Sequence, residues 1–191
     1  MEFFKVKLKY MTHDVLSDDG EPTSLSSEFL VEGINYNDVE ITVQKICDYY
    51  NLCNVDEPEY EISKFKSGVL MYSSSCYTTK PDSNGGDFNG LIMIHPEENN
   101  FSTIDDSWGI HKVMLSYEDI EGKIQRETLH ILSESTTKAF EMANAYGMKY
   151  IDNSRVIVNS IKKEKLKSIF LSMELYETYK NITTSIGEEL S

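Results

Sequence analysis

The feature that most narrows what this chain can fold into is an internal repeat. Phe4-Lys5-Val6-Lys7-Leu8-Lys9-Tyr10 aligns with His111-Lys112-Val113-Met114-Leu115-Ser116-Tyr117 at an offset of 107 residues. The shared Val, Leu and Tyr fall at alternate positions, as one face of a strand requires. Phe29-Leu30-Val31-Glu32 aligns with His130-Ile131-Leu132-Ser133 at an offset of 101, and Ile62-Ser63-Lys64-Phe65-Lys66 with Val158-Asn159-Ser160-Ile161-Lys162 at 96. The falling offset assigns the length changes to loops, which makes the first hairpin loop about six residues longer than the second.

Each half reads strand–strand–helix–strand. Residues 5–11 alternate charge with hydrophobe, the period-2 signature of a half-buried strand. Ser17-Asp18-Asp19-Gly20-Glu21-Pro22 is turn chemistry, and a second strand follows over about 25–31. Asn37 with Glu40 three residues on reads as a capping box. Behind it Val39, Val43, Ile46, Cys47 and Tyr50 line one helical face. The closing strand is expected over 60–72. In the second half Glu121-Gly122-Lys123 makes a tighter turn, and a helix from Thr137 buries Ala139, Ala143 and Tyr146 before stopping at Gly147.

Four segments follow: a first repeat over 1–72, an insert over 73–107, a second repeat with a C-terminal helix over 108–181, and a mobile acidic tail over 182–191. Pro81-Asp82-Ser83-Asn84-Gly85-Gly86 marks the insert as loop, although Leu91-Ile92-Met93-Ile94 could form a strand there. Leu166, Ile169, Phe170, Met173 and Tyr176 give helical spacing over 164–181. The expected fold is α+β: two ββαβ repeats whose antiparallel sheets are each packed by one helix, plus a C-terminal helix. Its core should hold Val6, Leu8, Leu30, Val43, Ile46, Ile62, Val113, Leu115, Ile131, Ala143, Val158 and Ile169.

The residue inventory argues against an enzyme. His13, His95, His111 and His130 show no spacing that puts two on one helix face, and Cys47 and Cys53 match no standard metal spacing. Cys47 reads as a buried small hydrophobe and His130 as an outward strand residue. Cys76 follows Ser73-Ser74-Ser75 with no oriented base beside it. The glycine-rich phosphate loop, the dinucleotide fingerprint, the nucleophile elbow and the zinc-protease motif are all absent. Asp18-Asp19 and Asp105-Asp106 are solvated loop carboxylates. No catalytic residue, metal or cofactor is expected. Three cysteines, no run of apolar residues long enough to span a membrane, and an N-terminus without a signal-peptide core lead to an expected cytoplasmic setting.

Charge is informative. The chain carries 32 acids against 18 Lys and Arg, a net charge of −14. Residues 11–61 alone hold 13 acids against Lys45, a local balance of −12. Basic residues gather elsewhere: Lys5, Lys7 and Lys9 on one strand face, Lys64 and Lys66 on a later strand, and five cations against Glu164 over residues 155–167. If the two lysine strands are neighbours, their cations form a stripe beside Tyr10 and Phe65. Lysines along a backbone with aromatics under the bases are the layout of a single-strand binder. Strand alternation puts Tyr10 opposite the lysines, and outward lysines are also ordinary guards of a sheet edge. With Arg126 and Arg155 as the only arginines, base-specific readout is disfavoured.

Lys-Val-Lys-Leu-Lys-Tyr at residues 5–10, Phe29-Leu30-Val31-Glu32-Gly33, Glu61-Ile62-Ser63-Lys64-Phe65-Lys66, Trp108, Lys112-Val113, Ala139, Gly147-Met148 and Val158-Asn159-Ser160-Ile161-Lys162 together resemble a family of uncharacterised proteins from bacteroidete bacteria and their phages. The resemblance covers roughly residues 3–72 and 108–170 and implies the two-half layout in a phage setting, which would make the expected cytoplasm that of a bacterial host cell. A looser association links it to single-stranded DNA-binding proteins with duplicated sheets. The expected function is therefore non-enzymatic, sequence-independent single-stranded DNA binding, with Lys5, Lys7, Lys9, Lys64 and Lys66 on phosphate and Tyr10 and Phe65 stacking. The alternative is an acidic protein-binding protein: an inhibitor of a host enzyme that mimics DNA, or a virion component. The partner is thus a single-stranded nucleic acid or a host or phage protein, with no membrane; the oligomeric state is left open.

Overall fold

The computed structural model describes residues 2–53, 56–79, 88–96, 107–151 and 155–190. The Pro81–Gly86 run and Asp105-Asp106 lie outside them. The chain is α+β and divides into two compact units. Unit 1 takes residues 1–66, 77–104 and 166–173; unit 2 takes 67–76, 105–165 and 174–191.

Unit 1 is built on the antiparallel pair β1 (Glu2–Leu16) and β2 (Pro22–Gly33), followed by α1 (Tyr36–Tyr49) and β3 (Glu59–Phe65). Alternation along β1 sends Phe4, Val6, Leu8 and Tyr10 into the core with Phe29 and Val31 of β2, beneath Val39, Val43, Ile46 and Cys47 of α1. The helix starts two residues earlier than Asn37 suggests. Asn35 Oδ1 accepts from the Asp38 N–H at 3.1 Å, and the Asp38 carboxylate accepts from the Ile34 N–H at 3.0 Å. This reciprocal cap satisfies two exposed donors.

Unit 2 repeats the plan with β7 (Gly109–Glu118), β8 (Ile124–Ser133), α2 (Thr136–Tyr150) and β9 (Ile157–Glu164). Val113, Leu115, Leu129 and Ile131 meet Ala139, Met142, Ala143 and Tyr146. Ser135 caps α2 through the Lys138 N–H at 3.1 Å. The helix passes through Gly147 instead of ending there: a Cβ on Gly147 would stand 2.8 Å from Val156 Cγ1. This glycine serves close packing, not termination. Of the twelve expected core residues, Ile62 and Val158 are half-buried and the rest are buried.

The repeats superimpose at offsets other than those read from the letters. Gly33 opposes Glu2 as Ser133 opposes Gly109, so β2 and β8 correspond at 100, not 101. Ile62 opposes Val6 as Ile161 opposes Val113, so β3 and β9 correspond at 99, not 96. A one-residue slip turns every side chain to the other face. An offset of 101 equated Phe29, which packs under α1, with His130, which points away from α2.

Each repeat also has a fourth strand. The expected 60–72 strand breaks at Lys66-Ser67-Gly68 into β3 and β4 (Val69–Tyr72). The expected 164–181 helix is instead β10 (Leu166–Leu171) followed by α3 (Met173–Leu190), whose helix runs over most of the segment read as a tail. Leu166, Ile169 and Phe170 are buried on both faces of their sheet, where periodicity cannot separate strand from helix. These fourth strands are exchanged. β10 runs parallel to β2 in a sheet that also takes in β5 (Tyr77–Thr79) and β6 (Ile92–His95), in the order β3-β1-β2-β10-β6-β5, and β4 runs parallel to β8 in the sheet β4-β8-β7-β9. Both sheets are therefore mixed. From the insert, β5 and β6 complete the first sheet, which places the expected Leu91–Ile94 strand beside β10.

Candidate charged interface

On the face of unit 1 turned away from α1, β1 presents Phe3, Lys5, Lys7 and Lys9. Lys7 lies between Glu28 of β2 and Glu61 of β3, and Lys9 lies opposite Glu59. Lys5 Nζ reaches Glu28 Oε2 at 2.6 Å and Lys9 Nζ stands 4.0 Å from Glu59 Oε2. Three lysines thus meet three carboxylates on one surface. Lys64 opposes Phe4 and so sits on the other face, where it bonds to Glu2 with an Nζ–Oε2 distance of 2.8 Å. That hydrogen bond, with the carboxylate charge beside it, raises the Lys64 pKa. Lys66 lies just past the end of β3. The structure therefore does not join the five lysines into one stripe: cross-strand alternation splits them, and glutamates interleave the part that remains. Phe65 opposes Phe3 and shares the lysine face, whereas Tyr10 is buried under α1.

The corresponding face of unit 2 has other chemistry. Lys112 lies between His130 of β8 and Lys162 of β9. In the next row Met114 lies between Thr128 and Ser160, and beyond it Ser116 opposes Arg126. The glutamates that neutralise unit 1, Glu28 and Glu61, correspond to Thr128 and Ser160. Sequence reasoning missed this row because the offset of 96 equated Lys162 with Lys66. The strand register equates it with Ser63, directly beside the counterpart of Lys112.

His130 faces away from α2 as expected but is buried, not outward. Its Nδ1 accepts from the Gly68 N–H at 3.1 Å. Burial, and secondarily Lys112, push its pKa down to about 4, so the ring is neutral. Gly68 can only be glycine here, since a Cβ would fall 1.8 Å from the Thr128 carbonyl oxygen.

Other groups that resemble chemistry are held inert. Ser133 Oγ lies 3.1 Å from His111 Nδ1, but both residues are buried. Ser133 donates its hydroxyl proton to the Ser135 carbonyl at 3.1 Å, so at Oγ it accepts from His111 and is not deprotonated by it. Burial also lowers the His111 pKa. Burial, reinforced by Cys53 and Asp48, pushes the Cys47 thiol up to about 12, and burial pushes Cys76 up as well; neither is an activated nucleophile. Among the described residues no three His, Cys, Asp or Glu converge as a metal site, and no helix is long and apolar enough to cross a membrane. Comparison of the chain with family models, with curated proteins and with solved structures finds no match.

Proposed function

We propose that this chain is a non-enzymatic binding protein whose unit 1 recognises a basic protein partner. The pairing of Lys5, Lys7 and Lys9 with Glu28, Glu59 and Glu61 carries this reading, because it engages three of the unit's cations with strand glutamates and leaves its acids in excess. Unit 1 holds 18 acids against 8 lysines. Asp18, Asp19, Glu21, Glu40 and Asp48 are exposed, and around the first turn of α1, next to Glu40, Ile34 and Ile41 are also exposed. Apolar anchors among carboxylates suit a protein surface whose partner supplies cations and a pocket. The test is capture from bacterial extract on the immobilised protein and on a variant carrying Asp18→Asn, Asp19→Asn, Glu40→Gln and Asp48→Asn. A protein held by the first, released at about 0.5 M salt and not held by the variant supports the reading. An identical capture profile on both overturns it.

Single-stranded nucleic-acid binding is the second reading. Its support comes from the cation row of unit 2, not from Lys5, Lys7, Lys9, Lys64 and Lys66.

A further inference from the structure

We infer that the face of unit 2 formed by β9, β7 and β8 is a binding site for the phosphodiester backbone of a single strand, with Lys112, Lys162 and Arg126 as the phosphate-contacting cations. The inference rests on the second reading above and gives it a location. Lys112 and Lys162 are directly opposed neighbours on adjacent strands. Like charges so placed destabilise a sheet. In a chain with 32 acids, none forms an ion pair with either lysine or with Arg126 among the described residues. At the equivalent row of unit 1, Lys5 instead has Ser63 and Leu30 for neighbours and Glu28 for an ion pair. The pair of cations with which no described residue of unit 2 forms an ion pair is the feature an external anion would satisfy.

The shape is linear. Arg126 lies opposite Ser116, four residues along β7 from Lys112, or about 13 Å at the strand rise of roughly 3.3 Å per residue. Thr128, Ser160 and Ser116 supply hydroxyls between the two cationic ends, and Lys162, Ser160 and Arg126 are exposed. Glu164 and Glu118 bound the strip at its ends. A single phosphate group would engage only the lysine pair, whereas a chain of phosphates spans the strip. Apart from the buried His130, the described residues of the strip offer no aromatic ring, so contact is to the backbone and carries no base preference.

The test is anisotropy of a labelled twelve-residue oligothymidylate from about 20 to 200 mM salt, where three cations on a single strand predict a log–log slope near −2. Lys162→Ser and Arg126→Ser, which install the residues of unit 1 at the matching positions, should each weaken binding several-fold and together abolish it. Lys7→Ser in unit 1 should leave it unchanged. Lys162→Gln repeats the test with the side-chain length kept, and circular dichroism confirms that each variant is folded. No binding at the lowest salt overturns the nucleic-acid reading itself. Binding that survives the double variant overturns the site while leaving that reading standing. Displacement by inorganic phosphate at equal phosphate concentration reassigns the lysine pair to a lone phosphate group and overturns the strand.

Discussion

Protonation of His130 should cost the protein stability in mildly acid solution, by an amount the structure sets. The ring is buried, accepts from the Gly68 N–H, and has a pKa near 4 in the folded state against 6.5 for an ordinary histidine. Between those values the unfolded chain binds the proton and the folded chain does not, so stability is intact above pH 6.5 and falls as pH drops toward 4. Weighing the two titrations at pH 5 gives a loss of about 2 kcal/mol relative to pH 7.5, rising toward about 3 kcal/mol below both pKa values. His111, also lowered by burial, adds in the same direction. The assay is urea denaturation at pH 7.5, 6 and 5 followed by the fluorescence of Trp108, the only tryptophan and a member of the same unit. His130→Asn keeps an acceptor for Gly68 but cannot charge. Its stability should therefore fall about 2 kcal/mol less than that of the wild type over the same interval, whatever its starting value. Parallel pH curves for the two proteins, within about 0.5 kcal/mol, would refute the assignment of a neutral buried ring.

Gly68→Ala drives a methyl into the Thr128 carbonyl and should unseat β4 from β8, abolishing the cooperative Trp108 transition while the rest of the chain keeps its far-ultraviolet signal. In native buffer at pH 8 a thiol reagent should modify exposed Cys53 first, with Cys47 reacting only once denaturant unfolds unit 1; equal rates would contradict the burial that raises the Cys47 pKa. Asp119 holds the second hairpin turn by accepting from the Glu121 and Lys123 N–H groups, both at 2.9 Å, and from Gln125 Nε2 at 2.7 Å. Asp119→Ala should accordingly speed hydrogen exchange at Glu121 and Lys123 while leaving Asp38 and Lys138, capped by Asn35 and Ser135, unchanged.

Much of the fold was legible because it rests on periods that letters display. The alternation over residues 5–10 and the helical stripe from Val39 to Cys47 are local, and both formed as read. Where the reading failed, the deciding information was non-local. Leu166–Leu171 lies between β2 and β6 in the interior of its sheet and is buried on both faces, so its letters carry no period-2 pattern to identify it. Register was the costlier loss. Equating Phe29 with His130 slips β8 by one residue, and equating Lys66 with Lys162 slips β9 by three, which hid the row in which Lys112 and Lys162 meet. The lysines at 5, 7 and 9 were visible as a cationic face, but their glutamate neighbours lie 21 to 54 residues away along the chain and only the pairing reveals them.

Because β4 and β10 each leave the half of the chain that carries them, neither half contains a complete sheet. A gene encoding one copy of this repeat would give a chain with a bare edge along its second strand and a fourth strand with nowhere to lie. Such a chain could finish its sheet only by lending that strand to a twin and borrowing one in return. The present molecule then reads as two reciprocal partners fused head to tail. A single chain lets the two copies differ, which a dimer of identical chains cannot do: Glu28, Glu61 and Ser63 on one sheet face answer to Thr128, Ser160 and Lys162 on the other.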